Sequence, residues 1–131
     1  MAVLRALLDT HSFLWFVSAD SKLSSKAEGL IADGANELLL SIASVWEIAI
    51  KVSLGRLPLG APVEDFIPEH LRRNWIDLLP IEASHTFEVS RLPFHHRDPF
   101  DRILISQARV EGIPIVSADS AFDDYAVERV W

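Results

Sequence analysis

Short apolar segments that suit buried β-strands alternate along this chain with longer segments that suit amphipathic helices. The strand candidates are residues 3–9, 37–41, 75–81, 113–119 and 126–131. Strands that alternate with helices predict a mainly parallel sheet that carries helices on both faces. We therefore expect the α/β class, with a three-layer α/β/α arrangement.

Length and composition limit the class of protein further. The 131 residues suit one domain, so we predict a single domain over 1–131. Half of the residues are hydrophobic, and the absence of cysteine excludes disulfides and thiolate zinc sites. We see neither a signal peptide nor the run of about 18 apolar residues that a membrane span needs. The sequence thus predicts a cytoplasmic protein without a membrane partner.

The net charge is −7 and the isoelectric point is about 5.1. Non-specific binding to nucleic acids depends on cationic groups, so this charge alone argues against it. An acidic protein can nevertheless act on phosphates when divalent metal ions supply the positive charge.

Four acidic residues are placed to meet at one edge of the predicted sheet. Asp9 and Asp119 each follow a strand, Glu47 lies in the helix after strand 37–41, and Asp101 lies in the first turn of the helix before the fourth strand. Ligands of open α/β sheets bind beyond the carboxyl ends of the strands. We therefore expect the four carboxylates to converge there.

Converging carboxylates repel one another unless they hold protons or cations. Oxygen ligands in a chain without cysteine favour Mg²⁺ or Mn²⁺. Such ions can bind a phosphodiester, activate a water molecule and stabilise the leaving oxygen. The acids therefore predict a hydrolase that acts on phosphoesters.

Four segments together resemble those of PIN-domain ribonucleases in order and spacing. They are "LLDTHSFLW", "SIASVWEIAIKVSLGRL", "DPFDRILISQA" and "GIPIVSAD", and the resemblance extends from Leu7 to about Tyr125. The chain looks most like the VapC-type toxins of bacterial toxin–antitoxin pairs. This resemblance implies a metal-dependent endoribonuclease of α/β/α fold, with RNA as substrate, a cognate antitoxin as partner and frequent homodimers.

The resemblance also implies the roles of individual residues. The catalytic metal ligands would be Asp9, Glu47, Asp101 and Asp119. Ser117 matches the small hydroxyl residue that often precedes the fourth acid in this family.

Helix capping offers a simpler explanation for the acids near Pro99. Asp98 followed by Pro99 is a typical helix start, with Asp98 as N-cap, so its part as an accessory ligand stays open. Asp101 would then stand at the third helical position, where an acid favours the helix dipole. Its place in the four-acid pattern favours metal binding for Asp101.

The other acids have structural alternatives of unequal strength. Asp9 could cap the following helix, although Thr10 could do the same. Asp119 could be an ordinary turn residue. Glu47 has the weakest alternative, because a glutamate among apolar helical residues is rarely a solvated surface group.

Basic residues near the acids are candidates for RNA contacts. They are Lys51, Arg97 and Arg102, and ordinary surface charge is the alternative for each. His95 and His96 are adjacent, so their side chains would point in opposite directions in an extended segment. We therefore predict no histidine-based metal site.

The first two helices carry more large apolar residues than one small core obviously needs. These residues are Phe13, Leu14, Trp15, Phe16 and Leu23. We predict that part of this surface meets a second subunit or the antitoxin.

Two other functions remain open from the sequence. A Mg²⁺-dependent phosphohydrolase of small molecules would use similar acids, but Asp9 does not begin the Asp-x-Asp motif of aspartyl-phosphate phosphatases, and no Gly-x-x-x-x-Gly-Lys loop is present. A non-catalytic interaction module of the same fold would not need the four acids.

Overall fold

The computed structural model describes residues 3–131. Residues 1 and 2, which begin the segment searched for a signal peptide, lie outside the described part. Among the described residues, no helix is long and apolar enough to cross a membrane. In chain order, the elements are β1 (Arg5–Leu8), α1 (Thr10–Val17), α2 (Ser25–Ala32), β2 (Glu37–Ser41), α3 (Ile42–Ser53), α4 (Val63–Arg73), β3 (Ile76–Leu79), α5 (Ala83–Val89), α6 (Pro99–Glu111), β4 (Ile115–Val116), a 3₁₀ helix (Ser120–Asp124) and β5 (Arg129–Val130).

The five strands form one parallel sheet in the order β3-β2-β1-β4-β5. β1 lies at the centre, where Leu8 is paired with Leu40 on one side and Val116 on the other. Parallel strands need crossover connections, and the helices between them supply these. The predicted parallel sheet is confirmed.

Alternate residues of β1 face two separate halves of the core. Leu8 belongs to the cluster that includes Phe13 of α1 and Ile48 of α3, whereas Leu7 belongs to the cluster that includes Leu104 of α6. Successive side chains of a strand point to opposite faces, so a central strand must be apolar throughout. The predicted three-layer arrangement is confirmed.

The parallel direction brings the carboxyl ends of β1, β2 and β4 to one edge of the sheet. Asp9 leaves β1 there, and its backbone N–H donates to the carbonyl of Val116 in β4 at 3.1 Å. Ser41 ends β2 and caps α3 through its side chain. The starts of α1 and α3 therefore lie at this edge.

Two glycines of similar exposure allow a matched test of the backbone. Gly112 ends α6 with φ +67°, whereas Gly29 lies inside α2, and an added Cβ would meet nothing within 4 Å at either position. Gly112→Ala should destabilise the fold by about 1–2 kcal/mol because of its left-handed conformation. Gly29→Ala should stabilise it by about 0.5–1 kcal/mol. Chemical denaturation measures both, and equal effects would contradict this account.

Candidate active site

The start of α6 is organised by Asp98. Its Oδ1 accepts the backbone N–H of Phe100 at 2.8 Å and that of Asp101 at 3.3 Å, and Pro99 occupies the first turn. This confirms the capping interpretation of Asp98. The cap also fixes the backbone of Asp101 and so limits where the carboxylate of Asp101 can lie.

Asp101 and Asp119 meet at His96. The Nε2 atom of His96 lies 3.1 Å from Oδ2 of Asp101 and 3.8 Å from Oδ2 of Asp119. One ligand atom from each of these three residues lies within 4.8 Å of the other two. Two of the four predicted acids are thus brought together directly, and a histidine joins them.

Glu47 is held by two partners on its own side of the site. Its Oε1 accepts the hydroxyl hydrogen of Thr10 at 2.7 Å, and its Oε2 pairs with Nζ of Lys51 at 3.2 Å. Ser44 packs its hydroxyl against that of Thr10 at 2.9 Å. A carboxylate that is only 15% exposed on a largely apolar helix is thereby satisfied.

Asp9 is the N-cap of α1, so the capping alternative holds for this residue and Thr10 is not the cap. One oxygen, Oδ1, accepts the backbone N–H of Ser12 at 2.8 Å, and the residue is only 7% exposed. Its sequence neighbour Thr10 carries the bond to Glu47. Asp9 and Glu47 lie outside the three-residue group around His96, to which they are linked by the shared sheet edge.

Asp119 caps the short 3₁₀ helix after β4. Its Oδ1 accepts the backbone N–H of Ala121 at 3.0 Å, and its side chain is 46% exposed. The backbone N–H of Asp119 donates to Oγ of the buried Ser117 at 3.0 Å. Ser117 thus contacts the backbone that carries the fourth acid.

The surroundings of Asp101 disfavour its ionised form. Burial, together with the negative charge of Asp98, raises the pKa of Asp101 to about 7, and Glu47 and Asp119 act in the same direction. The neighbouring His96 opposes the rise. Neighbouring acids therefore act on Asp101 across the site, as convergence predicts.

The three basic residues proposed as RNA contacts differ in their environments. Arg102 is only 6% exposed, and its guanidinium donates to four backbone carbonyl groups and to the Tyr125 hydroxyl. The expectation of an RNA contact at Arg102 is therefore wrong, because its donors are committed to the fold. Lys51 pairs with Glu47 and Arg97 is exposed, so contacts at these two residues stay predictions.

Sequence reasoning missed two residues of the site, His96 and Thr10. The segment with His95 and His96 is a loop and not an extended strand, and the His96 ring folds back so that its Nδ1 accepts the Asp98 N–H at 3.2 Å. A histidine two residues before an N-cap aspartate is a local signal for that contact. The sequence suggests Thr10 only as a cap, although a hydroxyl next to a strand-end acid also suits a bond across the site, such as the one to Glu47.

The large apolar residues of the first two helices are mostly used within the chain. Phe13 and Leu23 are buried in the core, so they offer no docking surface. A groove of about 710 Å³ lies between α1 and the segment after α3. Its apolar lining comes from Leu14, Trp15, Val17, Leu57, Pro58, Leu59 and Phe66.

Comparison with known proteins gives a family for this arrangement. A family model described as PIN domain matches residues 6–128. The chain belongs to the PIN-domain family. Ribonuclease VapC16 of Mycobacterium tuberculosis (strain ATCC 25618 / H37Rv) is 37% identical over 70 residues, which are 53% of this chain and 48% of that protein. This PIN-domain chain thus matches about half the length of the curated relative.

Solved structures share the fold over almost the whole length. VapBC2 from Rickettsia felis, bound to a DNA fragment from its promoter, gives a TM-score of 0.73 at 16% identity, covering 97% of this chain and 98% of that chain. DNA-bound VapBC from Salmonella typhimurium gives a TM-score of 0.69 at 12% identity, covering 98% of both chains. At such identities the likeness concerns the fold of this PIN domain.

The raised pKa of Asp101 predicts how stability depends on pH without metal. The unfolded chain releases this proton near pH 3.8, whereas the folded chain retains it up to about pH 7. The folded state binds more protons in this window, so the free energy of unfolding should fall as pH rises from about 4 to 7. Denaturation at several pH values, in the presence of a chelator, measures the slope.

Asp101→Asn should remove the contribution of Asp101 to the pH dependence of the free energy of unfolding. Asp77→Asn, at an exposed acid of β3, is the matched control. The difference in unfolding free energy between wild type and Asp101→Asn should change across the window, and the difference for Asp77→Asn should change less. Parallel curves for wild type and Asp101→Asn would contradict the environment described for Asp101.

Proposed function

We propose that this PIN-domain protein is a metal-dependent endoribonuclease that acts as the toxin of a toxin–antitoxin pair. The observation that carries the proposal is the pairing of Asp101 and Asp119 at the sheet edge where Asp9 and Glu47 also lie. The similarity to ribonuclease VapC16 and the fold shared with VapBC structures support it.

The donor set fits a hard divalent cation. One oxygen of Asp101 and one of Asp119 lie within 4.8 Å of each other, and burial together with repulsion from the neighbouring carboxylates raises the pKa of Asp101. A cation would relieve that repulsion, and carboxylate oxygens suit Mg²⁺ or Mn²⁺. We propose Asp101 and Asp119 as ligands, with Asp9 and Glu47 completing the site.

The side chains around the ligands keep them in place. Thr10 and Lys51 each bind one oxygen of Glu47, which leaves that carboxylate little freedom to turn. Asp98 fixes the first turn of α6 beneath Asp101. When bound, a divalent ion supplies Lewis acidity for attack of water on the phosphodiester. The residues of the chain contribute charge and orientation to that reaction.

An open site favours a polymer over a small phosphoester. The carboxylate of Asp119 is 46% exposed, whereas sites for small molecules are usually concave and bury most of the ligand. A small-molecule phosphohydrolase is therefore the weaker proposal. A non-catalytic module is weaker still, because it would not need a half-buried carboxyl at Asp101 whose ionised form the surroundings disfavour.

Asp101→Asn and Asp98→Asn separate ligation from capping. Asp101→Asn removes a charged ligand with little change of shape, so RNA cleavage should fall by at least about a hundredfold. Asp98→Asn should retain most activity, because asparagine also caps helices well. Cleavage of RNA and of a small phosphodiester, with Mg²⁺, with Mn²⁺ and with chelator, measures both variants.

Thermal melting of the same proteins gives a second reading. Wild type should be stabilised by about 2.7 kcal/mol when the metal concentration is 100 times its dissociation constant, and Asp101→Asn should be stabilised less. Metal-independent RNA cleavage, or full activity in Asp101→Asn, would reject the proposed reaction. Preference for the small phosphodiester would favour the alternative enzyme.

We further propose that the antitoxin binds the groove beside α1. The groove combines an apolar lining with two cations, Lys51 and Arg56, and one acid, Asp20, and Lys51 is also the partner of Glu47. An amphipathic peptide with acidic groups would match this surface and would lie next to the acids. The homodimer implied by the resemblance stays a prediction.

Expression of the toxin in bacteria should arrest growth, and the antitoxin encoded beside its gene should relieve the arrest. Leu59→Asp, which places a charge in the groove, should keep the toxicity and weaken the relief by at least about tenfold in antitoxin dose. Leu54→Asp is the control, because Leu54 is 58% exposed and does not line the groove. If the antitoxin relieves the growth arrest by Leu59→Asp and by Leu54→Asp equally well, it does not bind this groove.

A further inference from the structure

His96 is the one imidazole that lies against two of the proposed metal ligands in the described part of the chain. A histidine in this position has two physically different roles. It can offer a lone pair to a metal ion, or it can direct an N–H group at the carboxylates that bind the ion. The ring nitrogen that faces away from the site decides between them.

The outer nitrogen of His96 faces a hydrogen-bond donor. Nδ1 accepts the backbone N–H of Asp98 at 3.2 Å and so cannot carry a hydrogen itself. The hydrogen of the neutral ring must then be on Nε2, which lies 3.1 Å from Asp101 and 3.8 Å from Asp119. Metal-binding histidines show the opposite arrangement, in which the outer nitrogen donates its hydrogen.

The loop that carries His96 is fixed by buried groups. The hydroxyl of Tyr125 accepts the backbone N–H of His96 at 2.8 Å, and Arg102 donates to the His96 carbonyl at 3.3 Å. Arg102 also donates to the Pro93 carbonyl at 2.8 Å and lies 4.3 Å from the ring centroid of Phe94. The backbone of His96 is therefore held in place, which fixes the position from which its ring reaches the two acids.

His85 shows the same acceptor role of Nδ1 away from the candidate site. Its Nδ1 accepts the backbone N–H of Glu82 at 2.9 Å, and its Nε2 lies 3.0 Å from Oε2 of Glu111. Glu111 ends α6, at the opposite end of the helix from Asp101. This fully buried histidine is therefore an internal reference for an Nε2–H ring that faces a carboxylate.

We propose that His96 is a positioning residue, held by Tyr125 and Arg102, that directs its Nε2–H at Asp101 and Asp119 and is not itself a metal ligand. The inference deepens the proposed function and rests on it for the role of the two acids. The N–H group attracts both carboxylates and limits their rotation, while leaving their remaining oxygens for the ion. Mg²⁺ and Mn²⁺ prefer oxygen ligands, which agrees with this division.

Long-range ¹H–¹⁵N NMR spectra of the full chain, recorded with and without Mg²⁺, test the position of the hydrogen. His96 should carry it on Nε2 under both conditions, as His85 should, and spectra of His96→Gln and His95→Gln assign the signals. A His96 ring with its hydrogen on Nδ1 in the presence of Mg²⁺ would overturn the proposal. This reading does not depend on whether the protein cleaves RNA.

Substitutions test the effect of the N–H group. His96→Leu should weaken metal affinity and lower the cleavage rate by about 10–100-fold, the usual effect of groups that orient ligands. His96→Gln, whose amide N–H can occupy the place of Nε2–H, should restore most of both. Failure of His96→Gln to improve on His96→Leu, with both folded, would contradict the role of the donor.

His95 provides the matched control for these variants. It is exposed, it precedes His96, and its ring contacts the edge of Tyr125 at a centroid distance of 5.2 Å. His95→Leu and His95→Gln should bind metal and cleave RNA like wild type. Losses equal to those of His96→Leu would mean that disturbance of the loop, and not loss of the Nε2–H group, causes the effect. If the wild-type protein shows no ribonuclease activity, the proposed function is rejected. The NMR result would then still decide the role of His96.

Discussion

Capping of helix starts by carboxylates is the interaction on which the candidate site depends. Asp9, Asp98 and Asp119 each use one oxygen to accept a backbone N–H at the start of a helix. A capping bond stabilises the helix and also sets the direction of the carboxyl group. For Asp9 and Asp119, structural capping and proposed metal binding are therefore compatible uses of two oxygens. Capping and metal binding are thus not mutually exclusive at these residues.

The sheet and the acids were predictable because both follow from local patterns. Apolar strands that alternate with helices fix a parallel sheet, and a parallel sheet places the residues after its strands at one edge. Asp98 was predictable as a cap because the Asp-Pro pair is itself a local signal. These predictions needed no knowledge of contacts between distant residues.

Arg102 and His96 were not predictable in the same way. Arg102 follows Asp101 in sequence, but α6 turns its side chain into the protein, where backbone carbonyls of residues 89–96 surround the guanidinium. A loop with several inward carbonyl groups needs donors, and a buried arginine offers five. The need for these donors arises only once the loop has folded against α6, so charge and spacing along the chain do not indicate it.

Asp98 and Asp101 lie three positions apart in the same turn but differ in role: Asp98 caps the helix, and Asp101 is a proposed metal ligand. Asp98 accepts two backbone N–H groups, and these bonds stabilise the start of α6. Asp101 receives no such backbone bond in the described structure, and burial beside Asp98 raises its pKa to about 7. A group that the fold destabilises in its charged form gains most from a bound cation, because the cation removes an existing penalty. The cap therefore stabilises the helix and, by its own charge, also makes Asp101 the stronger candidate for metal binding.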